Sequence, residues 1–127
     1  MAIRPANAHD ADAVSRLLEI GNSLSLIEND DLRVMTQDSD VVGVLALTDG
    51  IDHLLVERLV VAPAPDAGTF AKIMVTFAEQ EARERGHDQV KLQVSEPLSV
   101  YRSLGYRHMG PVEINGARLF SMVKVVV

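Results

Sequence analysis

The stretch from Leu54 to Val94 does most to restrict what this chain can fold into. It opens with a strand apolar on both faces, Leu54 to Val61, and breaks at the small-residue loop APAPDAGT. It then resumes as an amphipathic helix and ends in a second strand, Gln89 to Val94. In the helical part Phe70, Ile73, Met74, Phe77, Ala78 and Ala82 recur at i, i+3, i+4, i+7, i+8 and i+12, one buried stripe of about four turns. Arg83 and Arg85 fall in its last turn and Gly86 closes it. A strand, helix and strand joined this way form a right-handed crossover, so the two strands are parallel. Two-faced apolarity puts the first of them centrally in a sheet covered by helices. The loop delivers the chain into a helix N-terminus, whose first N–H groups lack intrahelical acceptors and form a ready anion site.

The rest of the chain arranges itself around this unit. Ala2 to Arg4 reads as a short strand ended by Pro5, and Asp10 or Asp12 can cap a helix carrying Val14, Leu17 and Leu18 on one face. Gly21 and Asn22 stop that helix; Leu24, Leu26 and Ile27 then form either a short helix or an apolar flap. Leu32 to Thr36 and Val41 to Leu47 read as a hairpin around the turn cluster Gln37 to Asp40. Asp49-Gly50 turns the chain into the central strand. Ser95 to Leu104 reads as a short helix with Pro97 in its first turn and Gly105 as its cap. Tyr106 to Ile114 and Ala117 to Val127 are strands joined by Asn115-Gly116, a strong hairpin signal. With one crossover among otherwise antiparallel strands, the expected fold is α/β with a mixed sheet, predominantly antiparallel, and helices on both faces. At 127 residues, 1–127 is expected to be a single domain.

Composition removes several function classes. A net charge of −6 opposes nonspecific binding to nucleic acid or an anionic membrane. The absence of cysteine excludes disulfides, thiolate nucleophiles and cysteine-ligated zinc. His9, His53, His87 and His108 are scattered without ligand spacing, so no metal site is expected. No signal peptide and no segment able to span a bilayer is evident, so a cytoplasmic location is the expectation.

The element order, together with LVVAP (Leu59 to Pro63), FAEQEARERG (Phe77 to Gly86), VKLQV (Val90 to Val94), YRSLGY (Tyr101 to Tyr106) and MVK (Met122 to Lys124), resembles the GNAT superfamily of N-acetyltransferases over nearly the whole chain. The resemblance implies a GNAT-like acyl-CoA N-acyltransferase fold with acetyl-CoA as co-substrate. The acceptor would be an amine of a small molecule or a peptide. The family's phosphate loop reads Arg/Gln-x-x-Gly-x-Gly/Ala. Aligned on Pro63, those positions carry Asp66, Thr69 and Ala71, of which only Ala71 fits; Gly68 enters only in a frame that places Pro65 and Phe70 outermost. Asp66 replaces a cation or neutral donor by an anion, and its carboxylate is expected to cap the N–H groups of Ala67, Gly68 and Thr69. A left-handed conformation at Thr69 would cost about 1–2 kcal/mol.

Acetyl transfer to an amine needs a neutral amine, a polarised thioester carbonyl and a proton for the departing thiolate. The resemblance places the thioester and its pantetheine arm along the backbone of Val60 and Val61. It gives Tyr101 the role of general acid, a role suited to a phenol of reference pKa about 10; the alternative is a residue packing the short helix on the sheet. Glu57, a carboxylate in a largely apolar strand, is the candidate base, with ion pairing to a neighbour such as Arg58 as the alternative. His53 and His108 are further candidate bases. The family's acceptor region corresponds to Gly21 to Asp31 and Gly110 to Arg118, where Glu28, Asp30 and Asp31 would attract a cationic amine or form a solvated loop. The C-terminal VKVVV is expected at a sheet edge, covered in a homodimer. Two functions follow: an N-acetyltransferase using Tyr101, or an inactive GNAT-like binding module without acetyl-CoA, since fold alone does not confer function.

Overall fold

The structure is a computed structural model that describes residues 2–20, 31–94, 99–114 and 116–126. Strand β1 (Ala2–Pro5) leads through a 3-10 turn into helix α1 (Ala11–Ile20), followed by β2 (Leu32–Gln37), β3 (Asp40–Asp49) and β4 (His53–Val61). Helix α2 (Ala67–Glu84), β5 (Gln89–Val94), the short helix α3 (Ser99–Ser103), β6 (Arg107–Ile114) and β7 (Ala117–Val125) complete the chain. They form one sheet in the order β1-β2-β3-β4-β5-β7-β6. Its single parallel pair, β4 with β5, is the crossover anticipated from the sequence.

Helices cover both faces. The α2 stripe buries Phe70, Ala71, Met74, Val75, Ala78 and Ala82 against Leu54, Val56, Val90, Leu92 and Met122. On the other face Val14, Leu17 and Leu18 of α1 pack on Val34, Val44 and Val60. Gly43 of β3 lets α2 come close, since a Cβ there would lie 2.6 Å from Met74 Sδ. The β2–β3 turn places Asp38 and Ser39 at φ 52° and 72°, the paired left-handed conformation of a type I′ hairpin turn.

Three expectations need correction. The cap before α1 is Asn7, not Asp10 or Asp12: Asn7 Oδ1 accepts from the His9 N–H, while Asp10 Oδ2 accepts from the Asn7 N–H. Asp10 serves that reciprocal box and is gripped by both Arg4 nitrogens at 2.7 and 2.8 Å, which holds its carboxyl down to about 2. The C-terminal strand is not an edge. β7 lies between β5 and β6 and is paired on both sides, so the exposed-edge argument for a homodimer falls. The edge is β6, which is blunted by Pro111 and by a bulge at Met109, where Gly110 adopts φ 115°. The third is Asp66, whose side chain makes no capping hydrogen bond to α2. The stop at Gly21-Asn22, the segment carrying Leu24, Leu26, Ile27, Glu28 and Asp30, residues 95–98 including Pro97, and Asn115 lie outside the described residues.

Candidate active site

The site is built where β4 and β5 part. Their pairing runs from His53↔Gln89 to Val56↔Leu92 and ends there, although β5 continues to Val94 beside β7 and β4 to Val61 beside β3. The cause sits in β4 itself. Ala46 is opposite Arg58 while Leu47 is opposite Val56, so Glu57 is an extra residue, a bulge, at the point where the strands separate. A bulge bends and over-twists its strand, which carries Glu57 to Val61 away from β5. It also reverses the facing: Leu54 and Val56 join the core under α2 before the bulge, and Leu59 and Val61 do so after it. Val60 turns to the α1 face. On the side facing β5, the backbone of Leu59 and Val61 has no strand partner among the described residues, and the two strands form a fork.

From the open end of β4 the chain turns through residues 62–66 into the N-terminus of α2. Ala67 donates its N–H to the Ala64 carbonyl at 3.1 Å, closing a turn with Pro65 second and Asp66 third. Asp66 has φ −91°, ψ 8°, the third position of a type I turn rather than the extended backbone of a capping residue. Its side chain makes no capping hydrogen bond, which corrects the expectation that the carboxylate fills the site. Phe70 N–H bonds to the Asp66 carbonyl, and the N–H groups of Gly68 and Thr69 have no acceptor among the described residues. Thr69 sits within the first helical turn and is not left-handed, so the strain considered for it does not arise. Asp66, Gly68 and Thr69 are exposed, Ala67 is half-buried, and a Cβ on Gly68 would meet nothing within 4 Å. Ala71 is buried, its small side chain letting the first turn lie against the core. The backbone therefore fits a bound phosphate; the exposed Asp66 carboxylate beside it is the one contrary charge.

Tyr101 is 3% exposed and belongs to the same core cluster as Val56, Leu92 and Val94, the residues at the root of the fork. Its carbonyl accepts from the N–H groups of Leu104 and Tyr106, a tight wrap made possible by Gly105 at φ 97°. The next tyrosine locks that turn to α2: Tyr106 Oη donates to Glu79 Oε2 at 3.0 Å, and Lys124 Nζ donates to Glu79 Oε1 at 3.1 Å. Burial and the adjacent Glu79 charge push the Tyr106 phenol up, keeping it a neutral donor. Glu57 is half-buried at the bulge. His53 is at the opposite, closed end of β4 beside Asp52, and His108 stacks on Phe120 on the edge strand, 5.4 Å between centroids. Neither histidine is in the fork. Among the described residues no helix is long and apolar enough to cross a membrane, and no group of three His, Asp or Glu side chains is set to hold a metal ion.

No family model and no curated protein matches the sequence. Solved structures do match the fold. The aminoglycoside 6'-N-acetyltransferase from Enterococcus faecium has 16% identity and a TM-score of 0.76, covering 100% of this chain and 98% of that one. The ribosomal-protein-alanine N-acetyltransferase from Brucella melitensis has 17% identity and a TM-score of 0.75, covering 98% and 99%. The fold is that of the GNAT acetyltransferases. A GNAT family acetyltransferase from Elizabethkingia anophelis, solved with acetyl-CoA bound, is similar at 14% identity and a TM-score of 0.75, covering 98% and 97%. The GNAT fold thus extends over the full chain. Sequence reasoning missed the bulge and the Glu79 anchor. The signal for the bulge was present: the polar pair Glu57-Arg58 interrupts β4 just where the apolar positions under α2 switch from even to odd.

Proposed function

We propose that the protein is an acetyl-CoA-dependent N-acetyltransferase acting on an amine of a small molecule or peptide. The observation that carries this reading is the fork beyond Val56, where β4 leaves β5 and the chain runs on into an α2 N-terminus whose Gly68 and Thr69 N–H groups have no acceptor among the described residues. The same fold holds acetyl-CoA in the Elizabethkingia anophelis protein. Bound here, the co-substrate would supply an acetyl thioester. The ligand would lie along the backbone of Val60 and Val61, with the main-chain groups of Val61 turned toward it, as a strand adds to an open edge. Gly68 and Thr69 N–H groups, assisted by the α2 dipole, would hold the pyrophosphate. Glu57 takes the proton that the amine nitrogen loses on attacking the carbonyl carbon, directly or through water. As the C–N bond forms and the C–S bond breaks, Tyr101 Oη passes a proton to the sulfur. A cytoplasmic location accords with this co-substrate and belongs to the same proposal.

The test is thermal unfolding and titration calorimetry with acetyl-CoA, followed by thiol release with a panel of amines. Millimolar acetyl-CoA is expected to raise the unfolding midpoint, because a ligand binding only the folded state stabilises it by mass action. No stabilisation would favour the module without acetyl-CoA, for which the Asp66 charge is the motivating feature. Once an acceptor is found, Tyr101→Phe is expected to lower kcat with little change in acetyl-CoA affinity. Full activity of that variant would remove Tyr101 from the mechanism.

A further inference from the structure

A cavity of about 590 Å³ lies over β5, β7 and β6. Its lining includes Lys91 of β5, Arg107 and Met109 of β6, and Ser121, Val123 and Val125 of β7. Alternation along these strands sets its position. Val90, Leu92 and Met122 point into the core under α2, so Lys91 and Val123 point to the opposite face. There the α1 cluster draws only on β2, β3 and β4. Lys91 pairs with Leu55, within the closed part of the β4–β5 ladder, so the cavity is separate from the fork.

The register brings two cations together. Lys91 is opposite Val123, and Val123 is opposite Arg107, so the three stand in one row across three strands. Strand spacing puts the Lys91 and Arg107 backbones about 10 Å apart, within reach of one anion held over Val123. Neither side chain has an ion-pair or hydrogen-bond partner among the described residues. Elsewhere Arg4, Arg33, Arg83 and Arg85 are all paired to carboxylates. Among the described residues no acidic side chain lines the cavity, in a chain whose net charge is −6. The floor beside the cations is apolar and open to solvent: Met109 is 61% and Val125 60% exposed, two of the three exposed large hydrophobics among the described residues. The bulge between His108 and Gly110 is what puts Met109 there.

We propose that this cavity binds a small organic anion with an apolar body. Its carboxylate or sulfonate lies between Lys91 and Arg107, and its body covers Met109, Val123 and Val125. The volume is within the range of about 300–1,000 Å³ typical of small-molecule sites. A second copy of the chain whose two-fold axis passed through this row would set Lys91 and Arg107 against their own counterparts, an unfavourable contact. A bare inorganic anion would leave the apolar floor exposed.

The experiment is titration of the folded protein with anilinonaphthalene sulfonate, read by fluorescence, with octanoate as competitor. One saturable site per chain is expected, weakened by salt and displaced by octanoate, but not by octylamine, inorganic phosphate or coenzyme A at equal concentration. The double substitution Lys91→Gln, Arg107→Gln is expected to weaken octanoate binding by about tenfold or more, the size expected for removing one charge-assisted hydrogen bond. Unchanged affinity in that variant, with an unchanged unfolding midpoint, would overturn the proposal. So would equal displacement by octylamine, which needs only apolar surface, by phosphate, which needs only charge, or by coenzyme A, which would put the probe in the fork. Should the double variant fail to fold, Met109→Asp on the exposed bulge tests the other half of the site. It should weaken octanoate by a similar factor, and unchanged binding would contradict the assignment. None of these readouts depends on the protein being an acetyltransferase.

Discussion

At its C-terminal end helix α2 is held by Arg85, which reaches Asp31 at 2.9 Å, Asp49 at 3.2 Å and Glu81 at 3.2 Å. His87 Nε2 adds a contact to Asp49 at 2.8 Å, and Arg83 Nε donates to the Val126 carbonyl at 2.9 Å. At its N-terminal end, by contrast, Gly68 and Thr69 N–H groups have no acceptor among the described residues and the Asp66 carboxylate caps nothing. The strand below repeats the contrast: His53 to Val56 is zipped to β5, and Glu57 to Val61 is not. One end carries the cohesion of the molecule and the other has backbone groups left over for a ligand. Stability and binding should accordingly respond to different residues.

Truncating the closed end should do most harm to stability. Leu54 is fully buried in the zipped part of β4, and Leu54→Ala should cost about 2–5 kcal/mol in denaturant unfolding. Thr69→Ala at the open end should stay within about 0.5 kcal/mol. Equal costs would break the contrast. Arg85→Ala should follow, at about 1 kcal/mol, since it removes one partner from each of three partly exposed carboxylates that keep Arg33 or His87.

Acid should loosen the same end. Burial raises Asp31, but hydrogen bonds from Arg85 and Arg33 outweigh it and hold the carboxyl below its usual range. The hydrogen bond from His87 holds Asp49 down, opposed by burial and helped by Arg85. A depressed carboxylate means that the unfolded chain binds more protons. Its contribution is therefore complete above the unfolded pKa of about 4 and is lost as pH falls through the folded value. Unfolding followed from about pH 6 to about pH 2 should show stability falling, with a shallower slope in Arg85→Ala; identical slopes would remove the network from the account. Asp10 adds a contribution of the same sign in both proteins.

Much of the fold was legible because it rests on periodicity: the α2 stripe, the two-faced β4 and the Asn-Gly hairpin each have one reading. Strand order was less so. A hairpin signal joins β6 to β7 without saying which of them will lie beside β5, and the apolar VKVVV belongs to the strand that lies inside. The cap before α1 was misread because Asp10 and Asp12 both suit the role, whereas the 3-10 turn starts at Asn7 and Asp10 instead completes its box and binds Arg4. At the site, residue type pointed to Glu57 but alternation counting hid the bulge, since one extra residue changes the parity of the strand. Asp66 departs from its expected capping role because Pro65 commits it to a turn. The smallest predicted effect concerns another turn. Ser39 is left-handed, and Ser39→Gly should stabilise by up to about 1 kcal/mol, with no change in ligand binding.

The central claim is that the open end of α2 and β4 is where acetyl-CoA binds. Backbone amide resonances followed during titration with acetyl-CoA test it most directly. The largest shifts are expected at Val60, Val61, Gly68 and Thr69, with Leu54, Val90 and Arg85 nearly still. Asp66→Arg should tighten the titration and make it more sensitive to salt. Shifts confined to the closed end, or none at millimolar acetyl-CoA, would contradict it.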